Sequence, residues 1–349
     1  MVDFVTIDGR KIGPGFKPYV ICELSGNHNG NIHTALEMIT AAAQTGCDAI
    51  KLQTYTPDTL TIQCESQDFK IDKGLWKGRT LYDLYQEAYT PFEWHETLFA
   101  HATKLGVTIF STPFDETATD LLDKLGAPAF KIASFEANDE QLISYVAKKR
   151  KPMIISTGLC NLSDIERAVT VARENGCDEL ILLHCVSAYP AQTSDMNLGN
   201  IEELSRKFDL VVGLSDHTLG TNIASASVAL GASVIEKHFT LSRQAGGPDA
   251  DFSLEPIEFE RLCMDCCSTW SALGKNLGAI NPSEKQNMIF RRSLYVVEDI
   301  QEGEALSSLN IRSIRPGYGL SPAHYSDVIK KKAKRFLARG TALNWNLIC

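Results

Sequence analysis

The sequence predicts a closed (β/α)8 TIM barrel followed by a small β-rich C-terminal domain. Three observations carry that expectation. Short apolar, β-branched runs alternate with helical patterns until eight strands are counted, between residues 19 and 237. Such alternation points to parallel strands covered on both faces. Glycines precede the next strand closely at five helix-to-strand junctions, as expected just past helix ends. Eight units over ~250 residues suit a closed barrel. A doubly wound open sheet is the alternative, weakened because no G-x-G-x-x-G follows the first strand.

In chain order, residues 1–17 read as a short hairpin preface around Asp8-Gly9. The first strand, Tyr19–Leu24, enters a loop of turn formers, Ser25–Gly30. Ala35, Leu36, Met38, Ile39, Ala42 and Ala43 then recur at helical spacing up to Gly46. Strands follow at Ala49–Thr54, Val107–Thr112, Ala129–Ser134, Met153–Thr157, Glu179–His184, 210–214 and Ser233–Lys237. Thr90-Pro-Phe-Glu93 and Ser163-Asp-Ile-Glu166 have the pattern of capping boxes, so helices are expected to start there. Helices are also expected through Leu121, Leu122 and Leu125, over 139–148, ahead of Gly231 and over 256–273. The polar stretch Thr56–Tyr89 is long for a loop in a compact domain. It reads either as a lid over the barrel mouth or as a surface decoration.

The expected organisation is a barrel over 1–275, a linker over 276–290 and a small domain over 291–349. The last contains an internal echo: Glu302–Ile311 resembles Arg339–Ile348. A piece of that size folds marginally alone and is expected to dock on something.

The formal net charge of −9 argues against a general nucleic-acid surface. No apolar run approaches the ~20 residues that cross a bilayer, and no signal peptide is visible, so a cytoplasmic protein is expected. The ten cysteines are then read as reduced thiols. Cys263, Cys266 and Cys267 share one helix face, without a second pair at zinc spacing.

In barrels of this kind the C-terminal strand ends carry the chemistry. Here those ends supply Glu23; Lys51 and Gln53; Ser111 and Thr112; Lys131 and Ser134; Ser156 and Thr157; His184, Ser187 and Tyr189; Ser215 and His217; Glu236 and His238. Lysines and hydroxyls suit a phosphate or carboxylate. His217 and His238, on consecutive strands, suit a divalent metal such as Mn2+ that polarises a carbonyl. Glu23 is a candidate base or proton relay. Lys51 or Lys131 as a Schiff-base nucleophile is the competing chemistry. From another class, the small domain would make the protein a carbohydrate or ice binder, but a pure binder needs no metal pair.

The sequence also resembles the sialic acid synthase family. The matching stretches include Cys22–Gly30, Ile50–Tyr55, Ser111–Phe114, Lys131–Ser134, Ile155–Gly158, His184-Cys185 with Tyr189-Pro190, Gly213–His217, Glu236–Phe239 and Gly247–Asp249. The resemblance implies a C-terminal antifreeze-like (SAF) domain. It implies condensation of phosphoenolpyruvate with an N-acetylated amino sugar, giving a nine-carbon 2-keto acid and phosphate. Lys51, Thr112, Lys131, Ser134, Ser156 and Ser215 would hold phosphoenolpyruvate. His217 and His238 would bind Mn2+ or Mg2+, Glu23 would transfer a proton, and Gln53, Tyr189, Glu236 and Asp249 would line the sugar. A homodimer with swapped C-terminal domains would bring Arg315 to the partner's sugar site. Ile311–Leu320 and Val186–Pro190 look most like the pseudaminic acid synthase subgroup, with N-acetylneuraminate or legionaminate synthases as the alternative. There Ser187 would replace the asparagine usual in the family.

Overall fold

In the computed structural model, which describes residues 4–274, 278 and 280–349, a hairpin of β1 (Val5–Ile7) and β2 (Arg10–Ile12) leads into eight parallel strands. These are β3 (Tyr19–Glu23), β4 (Ala49–Thr54), β5 (Thr108–Pro113), β6 (Phe130–Ile132), β7 (Met153–Ser156), β8 (Leu180–Cys185), β9 (Val211–Asp216) and β10 (Val234–His238). They pair in chain order, and β10 closes on β3 with His238 opposite Glu23. That closure excludes the open sheet.

Helices α1 (Ile32–Gln44), α2 (His95–Leu105), α3 (Glu116–Lys124), α4 (Glu140–Ala147), α5 (Leu162–Glu174), α6 (Asn200–Phe208), α7 (Asn222–Ala229) and α8 (Pro256–Ala272) cover the strands. Two starts differ from the sequence reading. Thr90 does not cap: its hydroxyl meets His28 Nε2 at 3.1 Å, a 3-10 turn fills Phe92–Trp94, and α2 begins at His95. The box at α5 lies two residues earlier than expected. Asn161 Oδ1 accepts from Asp164 N, and Asp164 Oδ2 accepts from Asn161 N. An asparagine–aspartate pair does the same double service as Ser and Glu.

Period-two alternation sorts the strand residues. Outward side chains such as Val20, Ile50, Phe130, Ile155, Leu182 and Ile235 pack with the helices. Inward ones at the N-terminal end, among them Tyr19, Phe110, Ile154, Leu183 and Val234, form a separate apolar floor. Val5, Ile7 and Ile12 of the hairpin join that cluster and plug the barrel. A Cβ at Gly213 would run into the Val234 carbonyl and, at 2.8 Å, the Leu183 side chain, so only glycine lets β9 approach β10 there.

The stretch 56–89 is structured. A short helix (Pro57–Leu60) precedes a hairpin in which Ile71 N donates to Arg79 O (2.9 Å) and Gly78 N to Ile71 O (2.8 Å). Gly74 and Gly78 turn it at φ 80° and 91°, and a helix (Leu81–Ala88) returns the chain.

Contacts divide the chain into two units, Met1–Gly274 and Lys275–Cys349. Residues 276, 277 and 279 of the expected linker lie outside the described residues. Its later half, Pro282–Phe290, is 3-10 helical. The second unit holds the antiparallel pair β11 (Ser293–Val296) and β12 (Ile311–Ile314). Its internal echo is structural. Gly303 and Gly340 both take left-handed turns, and Leu306, Ile311, Leu343 and Ile348 share one core. Among the described residues, no helix is long and apolar enough to cross a membrane.

Candidate active site at the C-terminal strand ends

One alternation step beyond the floor, the inward side chains become polar. Lys51 and Lys131 lie among two carboxylates. Lys51 Nζ is 2.5 Å from Glu23 Oε2, 3.8 Å from Glu236 Oε2, and donates to Thr112 Oγ1 at 3.1 Å. Lys131 Nζ is 3.4 Å from Glu236 Oε1, which also accepts from Ser215 Oγ at 3.0 Å. Gln53 Nε2 donates to Glu23 Oε1 (2.9 Å) and to Ser25 Oγ (3.2 Å), and Ser25 donates on to Asp249. All these groups except Gln53 and Asp249 are buried or nearly so.

The two lysines differ electrostatically. Burial disfavours charge on both. At Lys51 the carboxylates of Glu23 and Glu236 outweigh burial and hold its pKa above the ordinary value. At Lys131 burial wins over Glu236, and the pKa falls. Burial raises Glu23, against the pull of Lys51, whereas Glu236 is held low despite burial by Lys131, Lys51 and Ser215. Burial pushes Asp249 up to about 6.

Hydroxyls continue the same wall. Ser156 Oγ is buried without a hydrogen-bond partner. Ser134 Oγ accepts from Gly158 N at 3.0 Å. A Cβ on Gly158 would run into the Ser187 and Ser134 hydroxyls, so glycine leaves room for both. The Ser187 hydroxyl lies 3.8 Å from Cys185 Sγ, itself inward and 3.9 Å from His217 Nδ1.

The His217 and His238 rings stand 5.3 Å apart, centroid to centroid. His217 Nδ1 donates to Val186 O at 3.0 Å, so in the neutral ring the lone pair is on Nε2. Against burial, the Cys185 sulfur and the Val186 carbonyl hold the His217 pKa above its ordinary value. His238 Nδ1 is buried without a hydrogen-bond partner, 3.7 Å from Asp249 Oδ2. Burial, then the neighbouring His217, pushes the His238 pKa well down, which favours the neutral ring, the form able to bind a metal. Among the described residues no group of three or more His, Cys, Asp and Glu is arranged for a metal. Two imidazoles with open positions fit a hard or borderline cation that completes its shell with water or substrate oxygens.

The alternation also removes candidates. His184 faces outward, its Nε2 donating to Met196 O at 2.6 Å. Ser111 is outward too, bonded to Thr54 Oγ1 at 2.6 Å, and Thr157 Oγ1 donates to Leu183 O. Arg315 belongs to the second unit, where it is exposed with its guanidinium 6.0 Å from the Phe290 ring.

Three neighbours were not singled out from the sequence. Asn27 Nδ2 donates to Phe239 O and Ser253 Oγ, each at 2.9 Å, and its Oδ1 accepts from Asp249 N. It ties the first βα loop to the Asp249 loop. Glu136, two residues past Ser134, buries an unpartnered Oε2, and burial lifts its pKa to about 7. Trp76 reaches the mouth from the 70–80 hairpin. Only Asn27 had a signal, its place in a strand-end run of turn formers.

A closed barrel with charged, partly unsatisfied groups at its C-terminal mouth defines a (β/α)8 enzyme. The chain belongs to the NeuB family, whose model matches residues 38–277, while an SAF domain model matches residues 291–348. It is 43% identical to the pseudaminic acid synthase of Campylobacter jejuni strain 81-176, over 94% of this chain and 95% of that one. Against the N,N'-diacetyllegionaminic acid synthase of Campylobacter jejuni strain NCTC 11168 the identity is 36%, over 91% and 96%. The solved N-acetylneuraminic acid synthetase of Leptospira borgpetersenii superposes with a TM-score of 0.73 at 31% identity, covering 81% of this chain and 94% of that one.

Proposed function

We propose that the protein is a pseudaminic acid synthase. It joins phosphoenolpyruvate to the open-chain aldehyde of 2,4-diacetamido-2,4,6-trideoxy-altrose. The observation that carries the choice of sugar is the higher identity to the pseudaminic than to the legionaminic acid synthase.

In this reading Lys51 and Lys131 neutralise the carboxylate and phosphate of phosphoenolpyruvate. Thr112, Ser134, Ser156, Ser187 and Ser215 donate hydrogen bonds to them, Ser156 with a hydroxyl otherwise unused. Gln53, Tyr189, Glu236 and Asp249 line the sugar, and Arg315 of a second copy completes that side in a homodimer. His217 and His238 would hold a Mn2+ or Mg2+ ion, which when bound would supply Lewis-acid polarisation of the aldehyde. C3 of phosphoenolpyruvate then bonds to the aldehyde carbon. Glu23, whose buried carboxyl holds a proton more tightly than usual, gives that proton to the aldehyde oxygen. A water adds at C2 and returns a proton to Glu23. The C2–O bond to phosphate then breaks, the proton left on the C2 hydroxyl passes to the departing phosphate, and the water oxygen remains as the keto oxygen.

The test is a panel of acceptors assayed for phosphate release, with and without EDTA. Release with the 6-deoxy diacetamido altrose, abolished by EDTA and restored by Mn2+, is expected. Equal efficiency with N-acetylmannosamine overturns the choice of sugar. Activity that survives EDTA and is trapped on a lysine by borohydride overturns the mechanism.

A further inference from the structure

The 70–80 hairpin carries one aromatic ring into the mouth, and nothing in the chemistry above uses it. The Trp76 indole Nε1 donates to Pro248 O at 2.8 Å. Pro248 immediately precedes Asp249, so the hairpin is latched to the loop that faces His238. The Trp76 ring lies 5.6 Å from Tyr189, and Tyr189 lies 4.5 Å from His217. Phe252 backs this row, 5.3 Å from Tyr189 and 4.9 Å from His238. The two histidines therefore continue into a wall of rings. Trp76 stands one ring farther out than Tyr189.

The support behind Trp76 is firm. A bridge pairs Lys70 with Thr80 at the hairpin base. The returning helix Leu81–Ala88 then presses its last residue on Gly26, where a Cβ would meet Ala88 at 2.8–2.9 Å. Trp76 is half-buried rather than swung into solvent.

The direction of its one polar group decides what the ring offers. With its N–H committed to Pro248 O, the indole has no donor left and no acceptor at all. A hydroxyl pressed against it loses water without gaining a partner, whereas a methyl group gains contact area. Resting on the functional reading above, we infer that Trp76 is the surface met by the C6 end of the acceptor. This one ring sets the preference for a 6-deoxy sugar over the same sugar bearing a 6-hydroxyl.

The test compares 2,4-diacetamido-2,4,6-trideoxy-altrose with its 6-hydroxylated counterpart, using phosphate release by the full-length protein. Pocket contacts of this size discriminate about tenfold to a hundredfold. The wild-type kcat/KM ratio is expected at or above ten in favour of the 6-deoxy sugar. Trp76→Ala is expected to cut that ratio at least fivefold, chiefly through acceptor KM, with the KM for phosphoenolpyruvate moving less than twofold. Trp76→Gln, which puts amide groups at the wall, is expected to move the ratio further towards the 6-hydroxylated sugar. An active wild type whose ratio is unmoved by both variants overturns this inference and leaves the functional reading standing. Equal rises in the KM values of both substrates also overturn it, because they report a damaged mouth. No phosphate release by the wild type with either sugar overturns the functional reading itself, and this inference with it.

Discussion

The floor and the mouth of the barrel are built by the same strands, only two residues apart. At β6 the inward pair is Ala129, just ahead of the strand, then Lys131; on β7, Ile154 then Ser156; on β8, Leu183 then Cys185; on β10, Val234 then Glu236. Parity along the strand decides whether a side chain enters the barrel at all. Height within the barrel then decides whether it is a packing residue or a reactive one. A polar group at floor height would be sealed in without partners. At mouth height Ser156 Oγ and His238 Nδ1 stay without a hydrogen-bond partner, which leaves them available to a ligand. The two layers should therefore fail differently when substituted.

The largest expected effect lies at the mouth. His238→Ala removes one of two candidate metal ligands, and loss of carbonyl polarisation is worth several kcal/mol. A fall in kcat/KM of about a thousandfold or more is expected, with Mn2+ affinity by calorimetry falling in parallel. The melting temperature should hold or rise, since a buried unpartnered nitrogen disappears. A cooperative collapse of the fold instead would erase the distinction between the layers.

Phe110→Ala tests the floor. Its ring is fully buried in the plug cluster, so a loss of about 3–5 kcal/mol in unfolding free energy is expected by denaturant titration. Both KM values of the remaining folded enzyme should stay within twofold of the wild type. A specific loss of phosphoenolpyruvate binding would show that the layers are mechanically coupled.

A third layer lies outside the barrel and sharpens the contrast. Asp216 and Lys237 flank the mouth residues in sequence but point outward, fully buried, with Lys237 Nζ 2.8 Å from Asp216 Oδ2 and 2.6 Å from Thr218 O. Removing one partner strands a buried charge. Asp216→Ala should cost about 3 kcal/mol of stability by the same titration, a floor-like phenotype one residue away from His217.

That pair shows what the sequence could and could not display. Strand number, order and closure were legible because apolar runs repeat with every unit and helix-ending glycines mark five of the junctions. Lys51, Lys131, Glu23 and Glu236 were legible as charges at strand ends. Parity was not, because the strands are buried on both faces and show no apolar–polar alternation. His184 and Ser111 therefore read as mouth residues, when each satisfies a buried backbone or hydroxyl partner behind the sheet. The capping boxes misled for a related reason. Thr90 had a tertiary partner, His28, that no local pattern announces. Trp76 was hidden because its hairpin is polar and its contacts come from residues more than a hundred positions away.

The smallest expected effect concerns Glu136, a half-buried residue at the edge of the mouth. Its Oε2 lacks a partner, and burial raises its pKa from 4.5 to about 7, against a weaker opposing pull from Lys131. The folded state thus holds the proton more tightly than the unfolded chain does. The stability this contributes is fully present below pH 4.5 and is lost as pH rises through about 7. The sign is opposite to that of a salt-bridged carboxylate. The melting temperature of the wild type should therefore fall between pH 5 and pH 8 relative to Glu136→Gln, whose amide cannot ionise. On the order of 2 kcal/mol is at stake. Binding of phosphoenolpyruvate should widen the difference if the Glu136 carboxyl faces the substrate side, because the anion would neutralise Lys131, whose pull is what holds the Glu136 pKa down. Parallel curves with and without ligand would place Glu136 with the packing residues, and the boundary between mouth and floor would run between Ser134 and Glu136.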